Sequence, residues 1–290
     1  MSRATATFTA STPARRPRNL TLLRPAPPTG GDTLTDCRTV EIGGGPVHLV
    51  DERQARRVIA RATHEHDEPP LAVCSINLDH VHHFAHTADR FDQSGSVRWL
   101  NLIDGAPIAT QAKRMTGIDY PRLAGSDLIA GILDDLGTAG LSVAVVGGSP
   151  EVTEELRRRL AAGWPTLRFA GHWTPTRDEL SSPEACERLC DQLRDSRANV
   201  VIVCLGKPRQ ERWIAEYGAR TGARALLAFG AVVDFLAGRV SRAPEWVRSV
   251  RAEWMWRLML EPRRLARRYL IQGPPAYLTV RASGSSPNRA

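Results

Sequence analysis

From about residue 46, short apolar runs alternate with amphipathic stretches along the chain. PVHLV precedes DERQARRVIARAT, LAVCSI precedes LDHVHHFAH, and VRWLNLI precedes a stretch that begins at Pro107. Further on, LSVAVV precedes PEVTEELRRRLAAG, NVVIVCLG precedes PRQERWIAEYG, and ARALLAFG precedes VVDFLAG. Strands followed by helices at this spacing are typical of parallel βαβ units with both sheet faces covered. The pattern predicts an α/β, Rossmann-like fold with a mostly parallel sheet and helices on both faces.

The alternation stops near residue 240, where a tract rich in tryptophan and arginine begins. At the other end, residues 1 to 33 are rich in Thr, Ala, Pro and Arg, a composition that favours disorder. We therefore expect a disordered leader over residues 1–35, an α/β domain over 36–240, and a helical appendage with a tail over 241–290. No run of eighteen apolar residues occurs, so no segment is expected to span a bilayer.

The formal charge of +8 is concentrated at the two ends of the chain. Residues 239–290 carry eleven arginines against three glutamates, and residues 1–27 carry five arginines and no acid. A nucleic-acid binder more often carries its basic residues across the folded face, so we expect an anionic membrane surface as partner and no nucleic acid, with a basic tail on RNA as the alternative. Trp prefers the headgroup boundary and Arg binds phosphate, which favours the tract over residues 242–270 as the contact. The competing interpretation is an amphipathic helix that packs on its own domain.

The candidate metal ligands lack a complete set. His82 and His86 would share one face of a helix, but no carboxylate or thiolate at a suitable spacing completes the site, which favours a solvated helix. No D-x-D tripeptide occurs. Five scattered cysteines without a CxxC pair indicate a reducing cytoplasm, and Cys186 and Cys190, one helical turn apart, are expected to be small core residues. We therefore predict no metal and no cofactor.

Polar residues and glycines follow several of the predicted strands, where parallel sheets bind their ligands. They are Ser75, Asn77, Asp104, Gly147, Gly148, Gln210, Glu211, Gly230 and Asp234. Asp104-Gly105 could be only a turn. The glycines of VVGGSPEV open a helix whose free N–H groups could receive phosphate. Because GGSP is not GxGxxG and no acidic residue follows at ribose distance, a nicotinamide cofactor is disfavoured.

Seven motifs in order carry a resemblance to a known family. They are SINLDHV, NLIDGAPIA, PRLAGSDL, VVGGSPEV, GKPRQERWI, FGAVVDFLAGRVSRAPEW and EWMWRLMLEPRRLARRY. Over roughly residues 45 to 272 they resemble the WecG/TagA/CpsF glycosyltransferases, or glycosyltransferase family 26. The resemblance implies transfer, with inversion, of a hexose from a UDP-sugar to a polyprenyl-diphosphate-linked sugar during bacterial cell-surface or exopolysaccharide synthesis. The hexose would be of the N-acetylmannosamine type, its uronic acid, or glucose.

Matched position by position, the resemblance implies that Asp104 is the general base and that Ser75 and Asn77 orient a substrate. Gln210 would contact the sugar. Arginines would lie beside the reaction centre or close over the diphosphate: Arg122, Arg257, Arg264 and Arg267. The strand-end positions expected to bind the nucleotide are Gly147, Gly148, Gly230 and Asp234. Ser75 and Ile76 stand where the family usually has Thr and Pro, which leaves donor and acceptor open.

The resulting prediction is a cytoplasmic enzyme, peripheral on the inner face of the membrane, whose C-terminal tract docks it and completes the site. A non-catalytic membrane scaffold of a polysaccharide assembly complex is the alternative. A nucleotide-cofactor oxidoreductase ranks third. Whether the chain forms a homo-oligomer is left open.

Overall fold

A computed structural model describes residues 31–239 and 266–284. The strands are β1 (Thr39–Ile42), β2 (Gly45–His48), β3 (Leu71–Ile76), β4 (Arg98–Ile103), β5 (Ser142–Gly147), β6 (Arg168–Trp173), β7 (Val200–Cys204) and β8 (Ala225–Ala228). The α-helices are α1 (Glu52–Ala62), α2 (Leu78–Phe84), α3 (Ala106–Thr116), α4 (Gly125–Thr138), α5 (Thr153–Gly163), α6 (Pro183–Asp195), α7 (Arg209–Tyr217), α8 (Val232–Leu236) and α9 (Gly273–Ala282).

Six strands form one sheet in the order β4-β3-β8-β7-β5-β6, and every neighbouring pair is parallel. Alternate residues of each central strand enter two separate cores. In β3, Leu71 and Val73 belong to the core that includes residues of α1, α4, α5 and α8, whereas Ala72 and Cys74 belong to the core that includes residues of α2, α3, α6 and α7. Helices therefore cover both faces, and the predicted Rossmann-like α/β fold is confirmed.

The first predicted strand, PVHLV, differs from the expected βαβ pattern. Its residues Gly45–His48 pair antiparallel with β1 in a separate two-stranded sheet. Gly43 and Gly44 join the two strands with φ of 64° and 87°. Two consecutive residues with positive φ are the requirement of a tight two-residue hairpin, so this turn closes an antiparallel pair instead of leading into the main sheet.

Strand β6 and helix α4 are among the elements that the hydrophobic pattern did not predict. Strand β6 lies at the edge of the sheet, and its side chains are only partly buried, so it lacks the apolar run of a central strand. Helix α4 follows the PRLAGSDL motif and carries glycines at its start and near its end. The prediction that His82 and His86 share a helix face is wrong, because α2 ends at Phe84 and the chain turns there.

The five cysteines are all free and buried, and Cys186 and Cys190 lie in the core as expected. Within the two described ranges, no helix is long and apolar enough to cross a membrane.

The structure describes some residues of both the predicted N-terminal leader and the predicted C-terminal appendage. Leu34, inside the predicted leader, is 4% exposed and belongs to the first core. At the other end, α9 packs against α2 and α3 and buries Ala276 and Val280. Just beyond α9, Ser283 contacts the turn between β1 and β2, since its Oγ accepts a hydrogen bond from the N–H of Gly43 at 2.9 Å. The described residues stop at residue 239 and resume at residue 266, so the boundary predicted near residue 240 stays a prediction.

We expect His48 to make stability depend on pH. Its Nδ1 accepts a hydrogen bond from the N–H of Asn101, and burial lowers its pKa from 6.5 to about 4. The unfolded chain therefore binds this proton first, so folded-state stability should fall as pH drops from about 6.5 to about 4. A shift of this size corresponds to roughly 3 kcal/mol.

The test is urea unfolding at several pH values for wild type and His48→Asn, whose amide oxygen can replace Nδ1 as acceptor. The variant should lack this part of the acid-induced loss. Parallel stability curves for the two proteins would show that His48 is not the responsible group.

Candidate active site

The carboxyl ends of the six parallel strands meet at one edge of the sheet, and side chains from three of them join there. Asp104 follows β4 and Asn77 follows β3. The Nδ2 of Asn77 donates a hydrogen bond to Oδ2 of Asp104 at 2.9 Å. The N–H of Asp104 bonds to the carbonyl of Ile76 at 2.9 Å, which extends the pairing of the two strands by one step. Two sequence-predicted site residues are thus brought into direct contact.

The Asp104 carboxylate lies at a sharp turn into α3. Gly105, the N-cap of that helix, has a φ of 85°, a conformation that L side chains rarely adopt. Asp104 is half-buried. Among the described residues, Asn77 donates to Oδ2 and no donor bonds to Oδ1.

The loop that carries Arg122 runs beside the end of β4. The N–H of its neighbour Leu123 donates to the carbonyl of Ile103 at 2.6 Å, one residue before Asp104. Arg122 itself is half-buried and is engaged in an interaction. The backbone therefore carries Arg122 next to the predicted reaction centre.

Helix α7 and the loop before it supply a buried polar group to the same edge. The Nζ of Lys207 donates to the carbonyl of Ser75 and lies 3.4 Å from Oδ1 of Asn77. Gln210, 1% exposed, donates through Nε2 to Oε1 of Glu211 at 3.0 Å and to the carbonyl of Ala228 at 2.9 Å. The Gln210 side chain is thus bonded within the protein, and its predicted sugar contact stays a prediction.

Burial dominates the electrostatics of this group. Glu211 is fully buried, and desolvation raises its pKa, an effect that the Lys207 charge opposes. The two charged groups are 4.0 Å apart. The Oγ of Ser75 is also buried and has no hydrogen-bond partner among the described residues. The orienting role of Ser75 stays a prediction.

The glycines after β5 allow a close approach of backbones. Gly147 has a φ of 97°, and a Cβ on it would lie 2.5 Å from the carbonyl oxygen of Cys204. A Cβ on Gly148, with a φ of 86°, would lie 2.8 Å from Val233 on α8. His172 holds this loop, since its Nε2 is 2.8 Å from the Gly147 carbonyl and its Nδ1 is 2.9 Å from the Thr153 hydroxyl. The loop is therefore fixed between β7, α8 and β6.

The remaining predicted site residues are more dispersed. Gly230 follows β8 next to the Gln210 amide, and Asp234 is half-buried on α8. Arg267 is exposed at the start of a π-helical segment, Arg267–Gln272, that packs against α2. The other two predicted C-terminal arginines, Arg257 and Arg264, lie outside the described residues.

Potential metal ligands do not gather in the described part of the chain. No group of three or more His, Cys, Asp or Glu side chains there could hold an ion. His80 is buried beside Phe84 and Phe91, and His83 lies 3.7 Å from Asp79. Metal independence remains a prediction.

Most of the sequence matches the sequence model of a known protein family. The model of the Glycosyl transferase WecG/TagA/CpsF family covers residues 40–289. The protein belongs to the WecG/TagA/CpsF family. The resemblance found in its motifs is thus confirmed, and it extends at both ends beyond the expected range. Membership in this glycosyl transferase family supports transferase activity and implies a sugar donor and an acceptor.

In this WecG/TagA/CpsF transferase, sequence reasoning did not assign Lys207 a role and noted Glu211 only as a polar residue after a strand. A signal for the lysine was present. Among 39 Lys and Arg residues, Lys113 and Lys207 are the only lysines. The lysine in the middle of GKPRQER is therefore unusual for this chain. His172 was not singled out either.

Replacement of Gly147 by alanine should destabilise the transferase by roughly 2 kcal/mol or more. The variant combines a positive φ with a Cβ too close to the Cys204 carbonyl, and strained backbone positions cost about 1–3 kcal/mol each. Chemical denaturation measures the loss.

The matched control is Gly163→Ala in the exposed last turn of α5, where a Cβ meets nothing within 4 Å. This variant should be neutral or slightly stabilised. Equal stabilities for the two variants would contradict the close approach of β5 and β7.

Proposed function

We propose that this chain is an inverting glycosyltransferase that moves a hexose from a UDP-sugar to a polyprenyl-diphosphate-linked sugar at the inner face of the cell membrane. The hexose would be of the N-acetylmannosamine type, its uronic acid, or glucose. Family membership supports sugar transfer in general. The finer assignment of donor and acceptor rests on the motif resemblance and on the geometry of the sheet edge.

The pairing of Asp104 with Asn77 is the observation that carries the proposal. A general base needs a carboxylate in fixed orientation with one oxygen free for the incoming hydroxyl. Asn77 holds Oδ2 at 2.9 Å, and Oδ1 has no donor among the described residues. The carboxylate also lies where open parallel sheets bind their ligands.

In the proposed step, the acceptor hydroxyl oxygen attacks the anomeric carbon of the donor sugar from the side opposite the leaving group. The hydroxyl proton passes to Oδ1 of Asp104 as the new C–O bond forms. The bond from the anomeric carbon to the UDP oxygen breaks, and its electron pair leaves with the diphosphate. The configuration of the anomeric carbon is thereby inverted.

The departing diphosphate needs positive charge or N–H donors. The backbone at Arg122 lies beside the end of β4. The Gly147–Gly148 loop leads through a short 3-10 turn into the start of α5. We assign both to this task, together with the C-terminal arginines Arg257, Arg264 and Arg267. This assignment needs no metal ion.

The described C-terminal segment suits a lipid surface. The four large apolar side chains that are exposed within the described residues all belong to it: Leu270 (65%), Ile271 (65%), Tyr277 (42%) and Leu278 (68%). Residues 266–284 contain three arginines and no acid. An apolar face with basic neighbours favours the interface of an anionic bilayer. The segment also packs on α2, which begins directly after Asn77, so membrane contact and reaction centre are close in the fold.

Asp104→Asn should lower turnover by about 10² to 10⁴, the usual contribution of a general base, without loss of UDP binding. The assay is a screen of UDP-sugars with synthetic polyprenyl-diphosphate-linked acceptors, with products identified by mass spectrometry and UDP binding by calorimetry. Asp191→Asn, which alters an exposed carboxylate on α6, is the matched control and should retain full activity.

Turnover of Asp104→Asn within threefold of wild type would remove Asp104 from the base role. Binding of NAD(H) instead of UDP would favour an oxidoreductase, and UDP binding without any transfer would favour the scaffold alternative.

Transfer activity should persist in EDTA, because the proposed step uses no metal ion. A requirement for Mg²⁺ or Mn²⁺ that is restored when the ion is added back would contradict the metal-free assignment.

Replacement of Leu270, Ile271 and Leu278 together by serine should weaken binding to anionic liposomes at least tenfold. Each exposed side chain of this size contributes on the order of 1 kcal/mol when an apolar phase covers it. Co-sedimentation with vesicles of phosphatidylglycerol and phosphatidylcholine measures the effect.

The control exchanges the same positions among apolar residues, Leu270→Ile, Ile271→Leu and Leu278→Ile, and should bind like wild type. Undiminished sedimentation of the serine variant would assign membrane contact to another part of the chain.

A further inference from the structure

The Lys207 side chain lies across the carboxyl edge of the sheet. Lys207 follows β7, yet its Nζ donates to the carbonyl of Ser75 on β3. Strand β8 lies between β7 and β3, so the lysine passes over the end of β8. Its side chain is only 11% exposed. A buried ammonium requires hydrogen-bond acceptors and a counter-charge, and both are present here.

The early end of β8 creates the space for this side chain. Ala228, the last residue of β8, pairs with Cys74 on β3. Strand β3 continues for two more residues and stays paired with β4 as far as Ile103. Gln210 donates a hydrogen bond to the buried carbonyl of Ala228, and the Glu211 carboxylate lies 4.0 Å from the Lys207 ammonium. The space beyond the end of β8 is therefore filled by the Lys207–Glu211 ion pair and the Gln210 side chain.

The Lys207 ammonium is one of three groups that favour a single orientation of the Asn77 amide. Oδ1 of Asn77 is 3.4 Å from the Lys207 ammonium and accepts the N–H of His80 at 3.2 Å. Its Nδ2 points the opposite way and donates to Asp104. A flipped amide would direct NH₂ at the ammonium and at an N–H donor, and its oxygen at the Asp104 carboxylate. All three contacts would be repulsive, so Lys207 favours the one orientation that supports Asp104.

We propose that Lys207 is a positioning residue for sugar transfer, which it aligns by holding Asn77 against Asp104, with Glu211 as its counter-ion. The proposal rests on the proposed function of Asp104 as base. The geometry around Lys207 also accounts for the choice of lysine at this position. A compact ammonium with three donors fits between oxygens that converge from different directions, whereas a planar guanidinium does not. Lys207 is one of only two lysines among the 39 Lys and Arg residues of the chain.

Steady-state kinetics of Lys207→Met test the proposal, with the donor and acceptor identified by the screen above. The variant should lose about tenfold in kcat with the KM for the donor changed less than twofold, because alignment of the base affects the transition state and not donor binding. Lys113→Met is the matched control. It removes the other lysine, which is half exposed on α3 and pairs with Asp119, and its kinetics should equal those of wild type.

Lys207→Met leaves the Glu211 carboxylate buried without its partner and is expected to be less stable. The double variant Lys207→Met/Glu211→Gln removes both charges and should recover thermal stability. Its kcat should remain about tenfold low, since Asn77 still lacks its ammonium. Recovery of wild-type kcat together with stability would reduce Lys207 to a structural role and overturn the proposal.

A double-mutant cycle identifies the route of the effect. In an Asn77→Ala background, Lys207→Met/Glu211→Gln should cost less than twofold further in kcat, because the lysine acts through Asn77. An undiminished tenfold loss in that background would overturn the proposal. The two proposals can fail separately. If Asp104 is not the base, Asp104→Asn keeps a turnover near that of wild type. If only the role of Lys207 is wrong, Asp104→Asn is still inactive.

Discussion

A strand that is buried on both faces carries mostly apolar side chains, and this constraint decides where the polar side chains of the site can lie. The central strands β3, β7 and β8 bury every residue, with alternate side chains in two separate cores. Because all six strands are parallel, their carboxyl ends lie at one edge, and the polar residues that follow them meet there. The position of the proposed reaction centre thus follows from covering the sheet on both sides.

The strands do not end at the same level, and the difference in their lengths provides the room for polar groups. Strand β8 stops at Ala228 while β3 continues to Ile76. A buried backbone carbonyl and a buried ion pair then need partners, since unpaired polar groups in the interior are costly. Gln210 satisfies the carbonyl and Lys207 faces Glu211. The same side chains that satisfy the interior also hold Asn77, and through it Asp104, so core packing and the orientation of the proposed base are one arrangement.

The C-terminal segment combines packing with exposure. Helix α9 buries Ala276 and Val280 against α2 and α3 and turns Tyr277 and Leu278 outward. The segment thus packs on its own domain and still offers an apolar surface. Most of the basic tract predicted over residues 242–270 lies outside the described residues, so both interpretations of it stay predictions. In the proposed function, this surface brings a lipid-linked acceptor toward the helix that begins after Asn77.

Alternating apolar runs such as LAVCSI and NVVIVCLG determined the α/β class, since a continuous apolar strand needs helices on both faces. They also determined which polar residues follow strands, and hence Asp104, Asn77 and the paired glycines. The β1–β2 hairpin and the edge strand β6 were beyond this reasoning, because strand pairing depends on contacts distant in sequence. Strand order likewise lay outside it. Only the tertiary structure could show that β8 lies between β7 and β3, so that a lysine 130 residues from Asn77 in sequence contacts its amide.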